Sequence, residues 1–154
     1  MARAWRPGAV SEMLARAAMD GAIVKGNRSI FSIIDNSVGS GRLLQFAEPE
    51  KHHLTGIDVD ESLLVDVGQV VEEAGFNCNF ESCGMEEISP HGFDVALINP
   101  PFSVHIESPL LSPYPCTSYG KFGPNTATVS HAYALAQAID AAEVVVALLP
   151  TSWR

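Results

Sequence analysis

The sequence predicts an α/β fold with a mostly parallel, doubly wound sheet. Short apolar runs alternate with segments of helical spacing, a Gly-x-Gly turn follows the first run, and two prolines end the fourth. Strands that alternate with helices pair in parallel through right-handed crossovers. The apolar runs predict strands at 30–35, 52–58, 76–81, 93–98 and 143–149.

Helices are predicted between these strands. The N-terminal helix should end before a loop bounded by Gly21 and Gly26. Asp60 is assigned as the N-cap of the helix after the second strand, because an aspartate there can accept free backbone N–H groups of the first turn. The helical segments are assigned to 9–19, a stretch that begins at Arg42, 61–74 and 130–139.

The composition predicts a single domain, 1–154, with a substantial core, since 47% of the 154 residues are hydrophobic. No apolar run has membrane-spanning length and the N-terminus lacks the apolar core of a signal peptide, so we expect a soluble cytoplasmic protein. Cys78, Cys83 and Cys116 have no paired spacing, and the five histidines are scattered except for the adjacent His52 and His53. Neither a disulfide framework nor a metal site is therefore predicted.

The net charge is −9, and the nine lysines and arginines do not cluster. Proteins that bind nucleic acid usually carry a basic surface against the phosphates. Either the substrate is not a polynucleotide, or the surface that binds it lies outside this chain.

The turn after the first predicted strand is a candidate nucleotide site. The strand ends at Asp35, and Ser37, Gly39 and Gly41 follow in a turn where glycines let the backbone approach a ligand closely. Asp58 ends the second strand 23 residues after Asp35, close to the spacing of an acid that accepts ribose hydroxyls. No Gly-Lys-Ser/Thr follows, which excludes a nucleoside-triphosphate P-loop.

The second candidate site is the turn Asn99-Pro100-Pro101-Phe102 after the fourth strand. Two prolines force the chain out of the sheet and leave a stiff, extended turn with few backbone donors. The Asn99 oxygen and a backbone carbonyl can accept both hydrogens of a planar amine, while Phe102 covers its flat face. Such acceptors favour the pyramidal nitrogen of a transition state. An ordinary Pro-Pro turn is the alternative.

Asn-Pro-Pro-Phe resembles the catalytic motif of the amino-methyltransferases, which use S-adenosylmethionine (SAM). The segment from Asp35 to Gly41 resembles their Asp-Pro-x-x-Gly-Ser-Gly loop, with Asn36 in place of proline, and Gly56–Asp60 resembles the second SAM motif. The resemblance implies a Rossmann-like class I SAM-dependent methyltransferase fold. It also implies that Asp35 serves the methionine end of SAM, and Asp58 the ribose.

Further roles follow from this resemblance. Cys83 stands where related enzymes often carry an acid near the adenine of SAM, and it is either a contact of that ring or a plain loop thiol. The helix at 9–19 either packs beside the cofactor or only covers the edge of the sheet.

The favoured substrate is adenine N6 in DNA, as in site-specific enzymes of restriction systems. Guanine N2 in RNA and protein glutamine amides are also considered, because enzymes for all three share such a motif. A non-catalytic SAM-binding module of a larger assembly is a hypothesis of a different class.

Two parts of the chain suggest additional contacts. The irregular segment 103–129 is expected to be a structureless loop that acts as a lid or contacts the substrate, with Tyr119, Lys121 and Phe122 as its main contacts. The family fold has two further strands beyond 143–149, so we expect that edge to meet a missing C-terminal region, a partner chain or a second copy. The chain is accordingly expected to be an N-terminal catalytic part that is poorly active alone.

Overall fold

The computed structural model describes residues 12–26, 31–87, 90–101, 105–107 and 127–149. Three α-helices, two short 3-10 helices and seven strands lie in these ranges. In chain order they are α1 (Glu12–Gly26), β1 (Phe31–Asp35), a 3-10 helix (Arg42–Phe46), β2 (His52–Asp58), α2 (Glu61–Glu73), β3 (Cys78–Ser82), a 3-10 turn (Met85–Glu87), β4 (Phe93–Ile98), β5 (His105–Glu107), β6 (Ala127–Val129), α3 (Ser130–Ala141) and β7 (Ala142–Ala147).

The main sheet has five strands in the order β3-β2-β1-β4-β7, and all its pairs are parallel. The chain moves outward from β1 to β3 and then crosses back to β4 on the other side of β1. This reversal beside β1 is the switch point of a doubly wound sheet, where the carboxyl ends of β1 and β4 diverge. The predicted parallel α/β sheet is confirmed.

Helices cover both faces of this sheet because successive side chains of a strand point to opposite sides. On one face, Ile33 and Leu97 join a buried cluster that includes residues of α1 and α2. On the other, Ile34 and Ile98 pack against the buried alanines of α3. The resulting three layers bury the central strands and leave their carboxyl ends open to the loops. No helix in the part of the chain that the structure describes is long and apolar enough to cross a membrane.

The helices differ from the sequence expectations in two places. α1 continues through Gly21 to Gly26, so the predicted loop there is wrong. One glycine costs a helix only about 1 kcal/mol, and burial of Met19 and Ala22 against the sheet offsets that cost. The stretch from Arg42 forms a short 3-10 helix, since Pro49 follows closely and disfavours a helical conformation before it.

The sequence analysis expected the segment 103–129 to be structureless, but part of it forms regular structure. Its two ends form an antiparallel strand pair, with His105 opposite Val129 and Glu107 opposite Ala127. Partners this far apart along the chain leave no local signal, so the pairing was missed. The predicted contacts Tyr119, Lys121 and Phe122 lie outside the described residues.

One smaller prediction about local structure is confirmed, and the bounds of two predicted strands are shifted. Asp60 caps α2, since its carboxylate accepts the backbone N–H of Ser62 at 3.0 Å and of Leu63 at 3.4 Å. β3 and β7 are displaced from their predicted bounds, 76–81 and 143–149, by one or two residues at each end.

A close contact in β2 makes a stability prediction. A Cβ atom on Gly56 would lie 2.5 Å from Phe80 Cδ1 and 3.2 Å from Val38 Cβ, so the Phe80 ring could not keep its position. We expect Gly56→Ala to lower the free energy of unfolding by about 1–3 kcal/mol, measured by urea denaturation. Gly21→Ala is the control, because nothing lies within 4 Å of its added Cβ, and it should be neutral or stabilising. Equal stabilities of the two variants would contradict this packing.

Candidate functional site

The candidate residues at the ends of β1, β2 and β4 lie along one edge of the sheet. These three strands are neighbours and run parallel, so their carboxyl ends meet there. Asp35 is the last residue of β1, Asp58 is the last residue of β2, and Asn99 directly follows β4. Three polar side chains that are distant in sequence therefore share one edge.

Asp35 is buried, with 1% of its surface exposed. Its Oδ1 atom accepts the Ser37 backbone N–H at 3.1 Å. Burial raises the pKa of Asp35 to about 7, the Ser37 hydrogen bond opposes that rise, and the nearby Asp58 carboxylate adds to it. A buried acid that half-ionises near neutral pH is suited to a cationic ligand, which would favour its charged form.

Hydrogen bonds join the glycine turn (residues 36–41) to the end of β2. The Gly39 backbone N–H donates to Asp58 Oδ2 at 2.7 Å, and the Asp60 N–H donates to Asp58 Oδ1 at 3.0 Å. Gly39 and Gly41 have φ angles of +50° and +70°, which residues other than glycine rarely adopt. A carboxylate offers about four acceptor positions, so Asp58 retains capacity to accept from hydroxyl groups of a ligand.

The glycine turn and Asn99 open onto the same cleft, which has a volume of about 130 Å³. The sequence analysis did not identify Arg42 as a site residue, although its position directly after Gly41 was a signal. The described lining residues are Asp35, Ser37, Val38, Gly39, Ser40, Arg42, Leu43 and Asn99.

Ser37 Oγ supplies an observation that points to a ligand. The atom is buried and has no hydrogen-bond partner among the described residues, although its residue lines the cleft. An unpaired buried hydroxyl is costly, and a polar group of a bound molecule would satisfy it. The residues of the cleft therefore fit a ligand that carries polar groups and positive charge.

The Asn99 turn is held on two sides. Leu148 donates its backbone N–H to the Ile98 carbonyl oxygen at 2.9 Å, and Ser130 Oγ donates to the carbonyl oxygen of Pro101. Asn99 is half-buried, Pro100 is buried and Pro101 is exposed. Phe102, the fourth predicted catalytic residue, lies outside the described residues. The structure thus brings Asn99 to the cleft but provides no test of the role of Phe102.

Cys83 is not among the residues that line this cleft. It is half-buried and packs against the cluster that contains Ile34 and Ile57, and its backbone N–H donates to the Asp58 carbonyl oxygen at 3.1 Å. Cys83 therefore lies beside the end of β2, and its predicted contact with a cofactor stays a prediction. Among the described residues, no group of three His, Cys, Asp or Glu side chains could hold a metal ion.

No protein-family model and no curated protein matches the sequence. Solved structures match its fold. The chain is similar, at 15% identity and a TM-score of 0.65, to a Listeria monocytogenes protein assigned to the class I S-adenosylmethionine-dependent methyltransferases, covering 92% of this chain and 45% of that one. It is similar, at 13% identity and a TM-score of 0.65, to a Pyrococcus horikoshii protein assigned as an RNA methyltransferase, covering 96% of this chain and 66% of that one.

A third similar structure is the magnesium protoporphyrin IX methyltransferase of Synechocystis with bound SAH, at 16% identity and a TM-score of 0.51. That match covers 62% of this chain and 49% of the other. The chain has the Rossmann-like fold of the class I SAM-dependent methyltransferases, as predicted. It spans less than two-thirds of the length of each of these three structures.

Proposed function

We propose that this chain is the catalytic part of a SAM-dependent N-methyltransferase that acts on an exocyclic amino group, with adenine N6 in DNA as the favoured substrate. One observation carries the proposal: Asn99 opens onto the same cleft as the glycine turn that follows Asp35. A methyl donor and an acceptor amine must meet for transfer, and residues of both predicted motifs line one cleft.

The residues of the cleft, together with Asp58, which bonds Gly39 but does not itself line the cleft, suit the polar groups of SAM. The Asp35 carboxylate would hold the ammonium of the methionine end, and the unpaired Ser37 Oγ would bond a polar atom beside it. Asp58, already fixed by Gly39 and Asp60, would accept the ribose hydroxyls. When bound, SAM supplies a methyl group on a positively charged sulfur. A nitrogen lone pair can displace that sulfur from the methyl carbon.

The Asn99 turn would prepare the acceptor nitrogen. In an aromatic amine the nitrogen lone pair is delocalised into the ring, and it must return to nitrogen for attack. The Asn99 oxygen and a backbone carbonyl of the turn would each accept a hydrogen bond from the amine. Both hydrogen bonds would become stronger as positive charge develops on nitrogen. With SAM bound, the nitrogen would take the methyl group, the electron pair of the broken C–S bond would stay on sulfur, and the nitrogen would release a proton to water. Phe102 is proposed to stack on the base.

DNA is favoured because the two motifs together resemble those of the adenine-N6 enzymes. RNA is the second candidate, since the similar Pyrococcus protein is assigned as an RNA methyltransferase. A protein glutamine amide is the third candidate substrate, and a non-catalytic SAM-binding role is the candidate function without methyl transfer. We propose that the enzyme is cytoplasmic.

A partner region is part of the proposal. The net charge of −9 opposes phosphate binding, so the surface that binds DNA would lie largely outside this chain. Within the described residues, β7 pairs with β4 alone and leaves its other edge open. We propose that residues 1–154 are one methyltransferase domain whose β7 edge is completed by further strands, a partner subunit or a second copy.

The function is tested by incubating the protein, as the 154-residue chain and with any longer native sequence, with methyl-labelled SAM. Duplex DNA, RNA and protein are offered separately, and the labelled product is hydrolysed and identified. We expect N6-methyladenine from DNA, weakly for the chain alone and strongly for the longer protein. Label in RNA or protein alone would contradict DNA as the substrate, and no SAM binding by either form would contradict the proposal as a whole.

Asp58 makes a prediction about binding that does not require a substrate. We expect Asp58→Asn to lower the affinity for SAM by about 10- to 100-fold, because hydrogen bonds to a charged group contribute about 1.5–3 kcal/mol. Calorimetric titration at one pH and ionic strength measures the change. Asp140→Asn is the matched control, since Asp140 is exposed near the C-terminal end of α3, and its affinity should equal that of the wild type. Unchanged affinity in Asp58→Asn would remove Asp58 from the site.

A further inference from the structure

A chain of buried hydrogen bonds connects the glycine turn to α3 and then to the loop after β3. The Asn36 side-chain amide donates to the Ala134 carbonyl oxygen at 3.1 Å and to Gln137 Oε1 at 2.8 Å. Gln137 Nε2 donates in turn to the Met85 carbonyl oxygen. Asn36 and Gln137 are 3% and 1% exposed, so solvent does not compete for these bonds. One helix thereby holds two loops at the carboxyl edge of the sheet.

The same helix also contacts the Asn99 turn. Ser130, the first residue of α3, donates its hydroxyl to the carbonyl oxygen of Pro101. Tyr133 Oη, one turn further on, donates to the Met85 carbonyl oxygen at 3.4 Å. α3 therefore joins the turn that would hold the acceptor amine to the turn that would hold the methyl donor.

The polar character of this chain of hydrogen bonds is costly. A buried amide loses free energy unless its groups are paired, and most other buried positions of α3 carry alanine. Asn36 also leaves its Oδ1 atom without a partner among the described residues. A purely stabilising contact would be better served by an apolar pair, which favours a positioning role for Asn36.

We propose that Asn36 and Gln137 form a bridge through which ligand binding at the glycine turn stiffens α3, and with it the turn at 99–101. Both are positioning residues. The ligand-dependent half of this inference rests on the proposed function, whereas the bridge itself does not. Methyl transfer depends steeply on the relative placement of donor and acceptor, so a shared rigid support would set the rate. The bridge is an energetic coupling carried by rigidity, which amide hydrogen exchange can measure.

The test is amide hydrogen exchange by mass spectrometry, with and without SAM, on the wild type, Asn36→Ala and Gln137→Met. Ser32→Ala is the matched control, because it removes a hydroxyl that donates to Asp94 Oδ2 and accepts the Asp94 backbone N–H, each at 3.1 Å, at the opposite end of β1 and away from the cleft. Without ligand, we expect both bridge variants to exchange roughly fivefold faster in α3 and at residues 84–87, the effect of losing one ordinary hydrogen bond. Ser32→Ala should leave these segments near their wild-type rates relative to the rest of the chain.

With SAM, the wild type and Ser32→Ala should gain protection in α3, none of whose residues lines the cleft. The bridge variants should lose that protection while still binding SAM within about threefold of the wild-type affinity, since Asp35 and Asp58 are intact. Ligand-free exchange equal to that of Ser32→Ala, or full SAM-induced protection of α3 in both bridge variants, would overturn the bridge. Failure of the wild type to bind SAM would instead overturn the proposed function, and the ligand-free comparison would still decide the bridge.

Discussion

Replacement of Asn99 by alanine should lower the rate of methyl transfer by about 100- to 1,000-fold, the usual loss when one group aimed at developing charge is removed. Asn99 is half-buried beside the glycine turn, and its proposed bonds to the acceptor amine strengthen only as the nitrogen becomes positive. The loss should therefore appear in kcat, with the affinity for SAM changed by less than about twofold. Single-turnover assays with the substrate identified above, together with calorimetric titration of SAM, separate the two effects.

The control for this variant is Asn79→Ala, which removes the same side chain from an exposed position in β3. Its turnover should match that of the wild type. Turnover of Asn99→Ala within a few-fold of the control would contradict the proposed role of Asn99. An equal loss of SAM affinity and turnover would reassign Asn99 from the acceptor to the cofactor.

Asp35→Asn is expected to have opposite effects on binding and stability. The pKa of Asp35 is raised from 3.8 to about 7 by burial, so the folded protein holds a proton that the unfolded chain releases. The stability that Asp35 contributes is complete below its unfolded pKa and is lost as the pH rises through 7. Asparagine does not ionise, so the variant does not lose this stability as the pH rises. We therefore expect the variant to gain about 2–3 kcal/mol of unfolding free energy over the wild type between about pH 5 and about pH 8.

The same substitution should lower the affinity for SAM by about 10- to 100-fold above neutral pH, since a neutral amide cannot form an ion pair with the ammonium group of SAM. In the wild type, the affinity should fall as the pH drops below 7, because cation binding must first release the proton from Asp35. In Asp35→Asn this dependence should be absent. Denaturation and titration across the pH range measure both effects, with Asp140→Asn as the control. A wild-type affinity that does not change with pH would exclude Asp35 as the cation ligand.

Much of the fold was predictable because its signals are local. β2 and β4 occur at their predicted bounds, and β4 is an apolar run that ends just before two prolines. The meeting of Asp35, Asp58 and Asn99 followed from topology alone, because residues after neighbouring parallel strands share an edge. Their catalytic and binding roles remain predictions. β3 was placed less well because it is an edge strand in which three of the five residues are exposed.

The parts that were not predictable depend on distant contacts. Asn36 was noted only as a departure from a motif, since its hydrogen-bond partners lie 98 and 101 residues further along the chain. The pairing of β5 with β6 joins the two ends of a segment whose composition suggests a loop. The raised pKa of Asp35 is a property of its burial, which no local pattern reveals. Each of these features appears only when the sheet is assembled.

The central claim is that the glycine turn, Asp58 and Asn99 form one site for a methyl donor and its acceptor. A crystal structure of the protein with S-adenosylhomocysteine tests this most directly. We expect the amino-acid end of the ligand beside Asp35 and Ser37, the ribose hydroxyls within hydrogen-bonding distance of Asp58, and the sulfur facing Asn99. A ligand bound elsewhere on the chain, or one whose sulfur faces away from Asn99, would contradict the account.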